Sequence, residues 1–210
     1  MASSTTISPN LNELRLCTFN MRGFNSGVST LRELTLSHNI IAVQEHWLSC
    51  DSLYKLDLIN SEFYSYNASG MSEAYSSGLI KGRPFGGVAF LCHKQLPYHI
   101  TLAGQDSSGR CLAIKVQCQQ RSLLLFNVYF PCHDQSTDYV IKLNECIGFI
   151  QDVTDSVSFT DMMLMGDTNF PCDNTNSGFA IFSKFLTDHK LFSCDDYTQK
   201  QPTYVNKGLL

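Results

Sequence analysis

The apolar positions of this chain recur with periods that predict most of its elements. LRLCTFN (14–20) alternates and reads as a strand, and STLRELTLS (29–37) sets Leu31 and Leu34 on one side, as a short helix does. NIIAVQEHWL (39–48) begins as a buried strand, and DSLYKLDLIN (51–60) repeats Leu53, Leu56 and Leu58 in a helical manner. EFYSYNAS (62–69), GGVAFLC (86–92) and PYHITLA (97–103) read as strands, with a Gly- and Ser-rich loop over 70–85. RCLAIKVQCQ (110–119) and SLLLFNVYF (122–130) form a hairpin pattern with a tight Gln120-Arg121 connection. DYVIKLNECIGFIQDVT (138–154) carries Val140, Leu143, Ile147 and Ile150 at helical spacing, MMLM (162–165) is a buried strand, and GFAIFSKFLTDH (178–189) collects Phe179, Phe182, Phe185 and Leu186 on one helical face. Residues 191–210 read mostly as loop.

Strands and helices in this order predict an α+β sandwich with helices outside the sheets. At 210 residues the chain is most simply one domain, 13–210, after a flexible N-terminal tail over 1–12. A hydrophobic fraction of 43% excludes a disordered polymer. The formal net charge of −4 lacks the basic footprint usual in nucleic-acid binders, but it does not exclude an enzyme whose metal ion supplies local positive charge. Nine cysteines without a C-x-x-C pair argue against zinc, and several lie inside apolar runs, as expected in a reducing compartment. The first residues have no apolar signal segment, and no apolar run approaches the roughly 20 residues that span a bilayer. An intracellular protein, nuclear or cytoplasmic, with no membrane partner is the expectation.

The chemistry gathers where strands end. LRLCTF ends in Asn20, IIAV in Gln44-Glu45, SLLLFNVYFP in Tyr129 and Pro131, and MMLM in Gly166-Asp167-Thr168-Asn169. Each alone is an ordinary turn residue. Together they suggest side chains converging at one rim of a sheet. One carboxylate plus water suits Mg²⁺, which binds few protein oxygens. A second can orient or deprotonate an attacking water, while Asn and Tyr donate to phosphate oxygens as charge develops. Gly166 permits a bend or close backbone approach.

FNMRG (19–23), VQEHWL (43–48), GGVAFL (86–91), NVYFP (127–131) and GDTNFP (166–171) occur in the order found in the endonuclease/exonuclease/phosphatase superfamily. The chain resembles that family from about residue 14 to residue 204, and most of all the endonuclease domain of non-LTR retrotransposons. The resemblance implies a four-layered α/β/β/α sandwich like that of DNase I. It implies Glu45 as principal Mg²⁺ ligand (Mn²⁺ being the alternative), with Asn20 beside it. It implies that Asp167 activates the attacking water, Asn169 orients it, and Tyr129 bonds the scissile phosphate. DNA is the implied substrate, with Arg22, Arg110, Lys81 and Arg83 as candidate phosphate contacts. A reverse transcriptase domain is the partner expected downstream.

The family pattern continues with a Ser-x-x-Asp-Tyr strand and a Ser-Asp-His, and neither occurs in these 210 residues. The expectation is therefore an incomplete domain without its last strands, marginally folded and weak or inactive in DNA nicking. Of the six histidines, His46 should turn away from the metal side and His133 could approach the phosphate. Two alternatives stay open: an inactive remnant, or a phosphoinositide or sphingomyelin phosphodiesterase on the same scaffold.

Overall fold

A computed structural model describes residues 13–71, 85–132, 137–170 and 177–193. The expected N-terminal tail, most of the 70–85 loop with Lys81 and Arg83, His133, and the stretch after residue 193 lie outside the described residues.

Eight described strands form two four-stranded sheets. The first contains β1 (Leu16–Asn20), β2 (Ile40–Gln44), β3 (Phe63–Ala68) and β4 (Val88–His93), in the order β1-β2-β4-β3. The second contains β5 (His99–Gln105), β6 (Cys111–Cys118), β7 (Arg121–Tyr129) and β8 (Asp161–Asp167), in sequential order. β1 is parallel to β2 and β7 is parallel to β8, while the other pairs are antiparallel.

The side-chain period of two explains the layering. On β2 and β4, Ile40, Ala42, Val88, Phe90 and Cys92 face the second sheet and meet Leu112, Ile114, Val116 and Leu125. Their neighbours Ile41, Val43, Ala89 and Leu91 face outward onto Leu31 of helix α1 (Phe24–Leu34) and onto Leu56 and Ile59. On β6 and β7, Cys111, Ala113, Leu124, Phe126 and Val128 face outward onto helices α2 (Thr137–Ser156) and α3 (Ser177–Asp188). Strands buried on both faces show continuous apolar runs, which is why IIAV and VAFLC do not alternate. The result is the four-layered α/β/β/α sandwich expected from the sequence.

Four readings need correction. Helix α1 begins at Phe24, five residues before the expected start, and ends at Leu34. Asn25-Ser26-Gly27 looks like loop sequence, but Gly27 lets the helix pack on Met21, where an added Cβ would overlap the Met21 side chain. The 51–60 segment is a short 3₁₀ helix, Cys50–Lys55, followed by irregular chain that buries Leu56 and Ile59 and leaves Leu58 exposed. The hairpin loop is Gln119-Gln120, with Arg121 paired to Cys118. MMLM is only half-buried, because β8 is hydrogen-bonded to a described neighbour on one side alone, and Met163 is 38% exposed.

Candidate active site

Strand parity puts polar groups at the inner rim. Counting inward positions along each strand, β1 ends in Thr18 and Asn20, β2 in Gln44, β7 in Asn127 and Tyr129, and β8 in Asp167. Parallel pairing aligns Asn20 with Gln44 and Tyr129 with Asp167, so both sheets present these ends at one edge.

Glu45 breaks the parity. One residue beyond Gln44, a continued strand would aim it outward with Val43. Its φ of 54° is left-handed and ends the pleat, and its carboxylate accepts from the site residue Asn20. Arg22, Trp47 and Asn169 also have positive φ, so four of the six described non-glycine residues in this region of backbone space ring the same rim. Such conformations persist where surrounding structure holds them. Here Met21, Gly23 and Phe24 N–H groups donate to the carbonyls of Gln44, Glu45 and His46, at 3.0, 2.7 and 3.0 Å, and Trp47 N–H donates to Gly86 at 3.0 Å.

The amide of Asn20 joins the two sheets. Its Nδ2 donates to Glu45 Oε1 at 2.6 Å and to Asp167 Oδ2 at 2.8 Å, although Asn20 and Asp167 are 147 residues apart. The indole Nε1–H of Trp47 donates to Glu45 Oε2 at 3.2 Å, so both carboxylate oxygens of Glu45 are oriented. Asp167 Oδ1 accepts the backbone N–H of Asn169 at 3.0 Å. The Asn169 amide reaches across to the Phe130 carbonyl at 2.8 Å and ties the GDTN turn to the end of β7. Gly166 is indispensable: its φ is 135° and a Cβ there would run into the Val128 carbonyl oxygen.

Tyr129 is half-buried at the same edge. Burial pushes its phenol above the ordinary value, helped by the charges of Glu45, Cys132 and Asp167 against the opposing pull of Arg110. It is therefore a protonated hydrogen-bond donor throughout the physiological range. The Arg110 guanidinium lies 5.2 Å from the Tyr129 ring centre and donates to the Tyr129 carbonyl at 3.2 Å. Arg22 is exposed, and its backbone N–H donates to Asn20 Oδ1 at 3.2 Å.

His46 turns away from this edge as expected, but strand parity is not the reason: a continued β2 would aim it inward with Gln44, and the left-handed residues Glu45 and Trp47 on either side redirect it. It is fully buried, with Nε2 3.1 Å from the Ala68 carbonyl and Nδ1 accepting from Leu48 N–H at 3.0 Å. Gly87, at φ 88°, makes room for it: a Cβ there would overlap the imidazole.

Three groups have no role in the sequence reading although they lie inside motifs it singled out. Trp47 orients Glu45. Gln44 and Asn127, both buried, form an amide pair across the two sheets at 2.6 Å. Asn127 Nδ2 also donates to the Val43 and Ala89 carbonyls, at 2.9 and 2.8 Å, and Gln44 Nε2 donates to Thr18 Oγ1 at 3.0 Å. A polar pair placed at inward positions of otherwise apolar strands was the available signal.

The donor set suits a hard cation. Glu45, Asp167 and Asn20 offer oxygens, and among the described residues no three His, Cys, Asp or Glu side chains form a closed cage. Mg²⁺ accepts one or two carboxylates and retains its waters, whereas structural zinc needs four protein ligands.

The sandwich thus carries two carboxylates, one from each sheet, at one shared edge. Residues 17–181 match the model of the endonuclease/exonuclease/phosphatase family, and the chain belongs to that family, whose members are hydrolases acting on phosphodiester bonds. The fold is similar to that of the human Nocturnin catalytic domain (TM-score 0.59, 15% identity, 91% of this chain and 76% of that one). It is also similar to a Neisseria 3′ phosphatase bound to a product DNA hairpin (0.56, 14%, 84% and 71%). A third similar structure is the endonuclease domain of TRAS1, a telomere-specific non-LTR retrotransposon (0.55, 11%, 83% and 71%). Comparison with curated protein sequences returns no match.

Proposed function

We propose that this chain hydrolyses DNA phosphodiesters with Mg²⁺ and acts as a nicking endonuclease of the non-LTR retrotransposon type. The observation that carries this reading is the Asn20 amide shared between Glu45 and Asp167, two carboxylates brought from separate sheets to one open edge. Glu45 and Asn20 would hold the metal. When bound, it polarises the phosphoryl oxygen and offsets the charge of the pentavalent transition state.

The protein's own residues supply the rest. Asp167, held by Asn20 and by the Asn169 N–H, takes a proton from water approaching in line with the leaving oxygen. Asn169, fixed to Phe130, keeps the GDTN turn at the height that this needs. Tyr129 donates its phenolic proton in a hydrogen bond to a nonbridging phosphate oxygen. Arg110 and Arg22 position the flanking backbone without reading sequence.

Among the described residues, His38, His46, His93 and His189 make their hydrogen bonds away from the edge. DNA is favoured over lipid because the 70–85 sequence is not strongly apolar. We place the protein inside the cell, in nucleus or cytoplasm, with a reverse transcriptase domain as its expected partner.

A substrate panel tests this reading. Supercoiled plasmid, sphingomyelin vesicles and an inositol polyphosphate are each incubated with the chain, in Mg²⁺ and in chelator. Plasmid nicking confined to Mg²⁺ is expected. Phosphate or phosphocholine release with intact plasmid would replace DNA by a lipid-type substrate, and no turnover of any of the three would leave the inactive remnant.

A further inference from the structure

We propose that the cleft beside Glu45 is a nucleotide subsite, which takes the base of a nucleotide adjoining the attacked phosphodiester and sets Lys55 against its phosphate. This rests on the phosphodiesterase reading above and adds to it a site for one nucleoside.

The cleft measures about 620 Å³, the size of a small-ligand site. Its walls come from the start of α1, the chain after β2 and the 3₁₀ helix. Phe24, Trp47 and Met71 give apolar surface, Asn25 and Ser52 give hydrogen-bonding groups, and Lys55 gives the one charge among the described lining residues. Lys55 thus offers the cleft a group that can bind a phosphate. A flat aromatic wall, short polar side chains and a single cation together match a nucleotide better than a free sugar or a fatty chain.

Trp47 makes the cleft continuous with the reaction site. Its Nε1–H holds Glu45 Oε2, while Gly23 packs against the six-membered ring. A Cβ at Gly23, whose φ is 100°, would lie 2.6 Å from that ring. The indole is thus held by a carboxylate at Nε1 and by glycine at its six-membered ring, on a backbone fixed to Gly86. An aromatic surface immobilised before binding loses little freedom when a base stacks on it. Because the same ring orients the metal-binding carboxylate, a base in the cleft would register the strand relative to Glu45. The subsite would then contribute to binding at a defined distance from the cleaved bond.

The test uses the fact that Trp47 is the only tryptophan in the chain, so intrinsic fluorescence reports on this cleft. The full chain is titrated in chelator with hexathymidylate and with an abasic hexamer of the same charge. A saturable change with hexathymidylate, and roughly 5- to 150-fold weaker binding of the abasic strand, is expected from loss of one stacked base. Lys55→Ala should weaken both strands, and Ser52→Tyr, which fills the cleft, should abolish the response to hexathymidylate. Equal binding of the two strands, or a response to phosphatidylcholine vesicles but not to hexathymidylate, would overturn the subsite. Plasmid nicking is scored separately. A base-dependent response in a chain that does not nick supports the subsite and refutes only the catalytic reading. Nicking without any base-dependent response refutes the subsite and leaves that reading intact.

Discussion

His46 makes acid stability a quantitative test of how this edge is built. The residue is fully buried, and burial pushes its imidazole down to about 4 from an ordinary 6.5, against the raising effect of the Ala68 and Val88 carbonyls. Its two hydrogen bonds require the neutral form with the proton on Nε2, because Nδ1 must accept from Leu48 N–H. Protonation would set two donors against each other. Between about pH 6.5 and 4 the unfolded chain therefore binds a proton that the folded chain refuses, and stability falls as pH falls. His46 contributes its full share above pH 6.5. By pH 4.5 the loss is about 2.5 kcal/mol, since each tenfold difference in proton affinity between the folded and unfolded chain is worth about 1.36 kcal/mol.

The comparison is with His46→Gln, which offers one donor and one acceptor but does not titrate. Urea unfolding followed by Trp47 fluorescence at intervals from pH 7.5 to 4.5 gives both curves. His93, also shifted down by burial, and the carboxylates contribute equally to both proteins and cancel. The wild type should lose about 2–3 kcal/mol more than the variant over this range. A difference below about 0.5 kcal/mol would show that His46 is reached by solvent or adopts another tautomer, and its buried placement away from the edge would fail.

Three further outcomes follow from the same geometry. Asn127→Ala leaves the buried Gln44 amide with Thr18 alone and removes the side-chain donor to the Val43 and Ala89 carbonyls, and should cost about 2–4 kcal/mol in urea unfolding. Adding Gln44→Leu should cost less than the sum of the single changes, since the two residues share one network. Gly166→Ala forces a Cβ onto the Val128 carbonyl, and thermal melting should show loss of the cooperative transition or a fall of more than about 10 °C. Tyr129→Phe should melt within a few degrees of wild type yet nick plasmid about 10²-fold more slowly, as expected for removal of one donor to the developing charge.

The layers were legible because period two and period 3.6 are written directly into the apolar positions; IIAV and VAFLC read as strands, and the structure shows them buried on both faces. Asn20, Glu45, Tyr129 and Asp167 were legible as strand-end residues, and the structure brings them to one edge through parallel pairing. Less could be read where tertiary contacts override local pattern. The first turn of α1 forms from Asn25-Ser26-Gly27 because Gly27 fits against Met21, a contact that no spacing announces. The leucines of 51–60 resemble a helix, but Leu56 and Ile59 reach the outer core from irregular chain. Trp47 and Asn127 act through partners distant in space or in sequence, and the left-handed turn at Glu45 that redirects its carboxylate leaves no mark in residue type.

The central claim is that Glu45 and Asp167, joined by Asn20, form a metal-dependent site for cutting DNA. The most direct test is plasmid nicking by the wild-type chain, Glu45→Gln and Asp167→Asn, each in saturating Mg²⁺ and each verified by the same melting curve. Nicking by the wild type, abolished by chelator and reduced at least about 10²-fold in both variants, is the predicted result. Nicking that survives either substitution, or that continues in chelator, would contradict the claim.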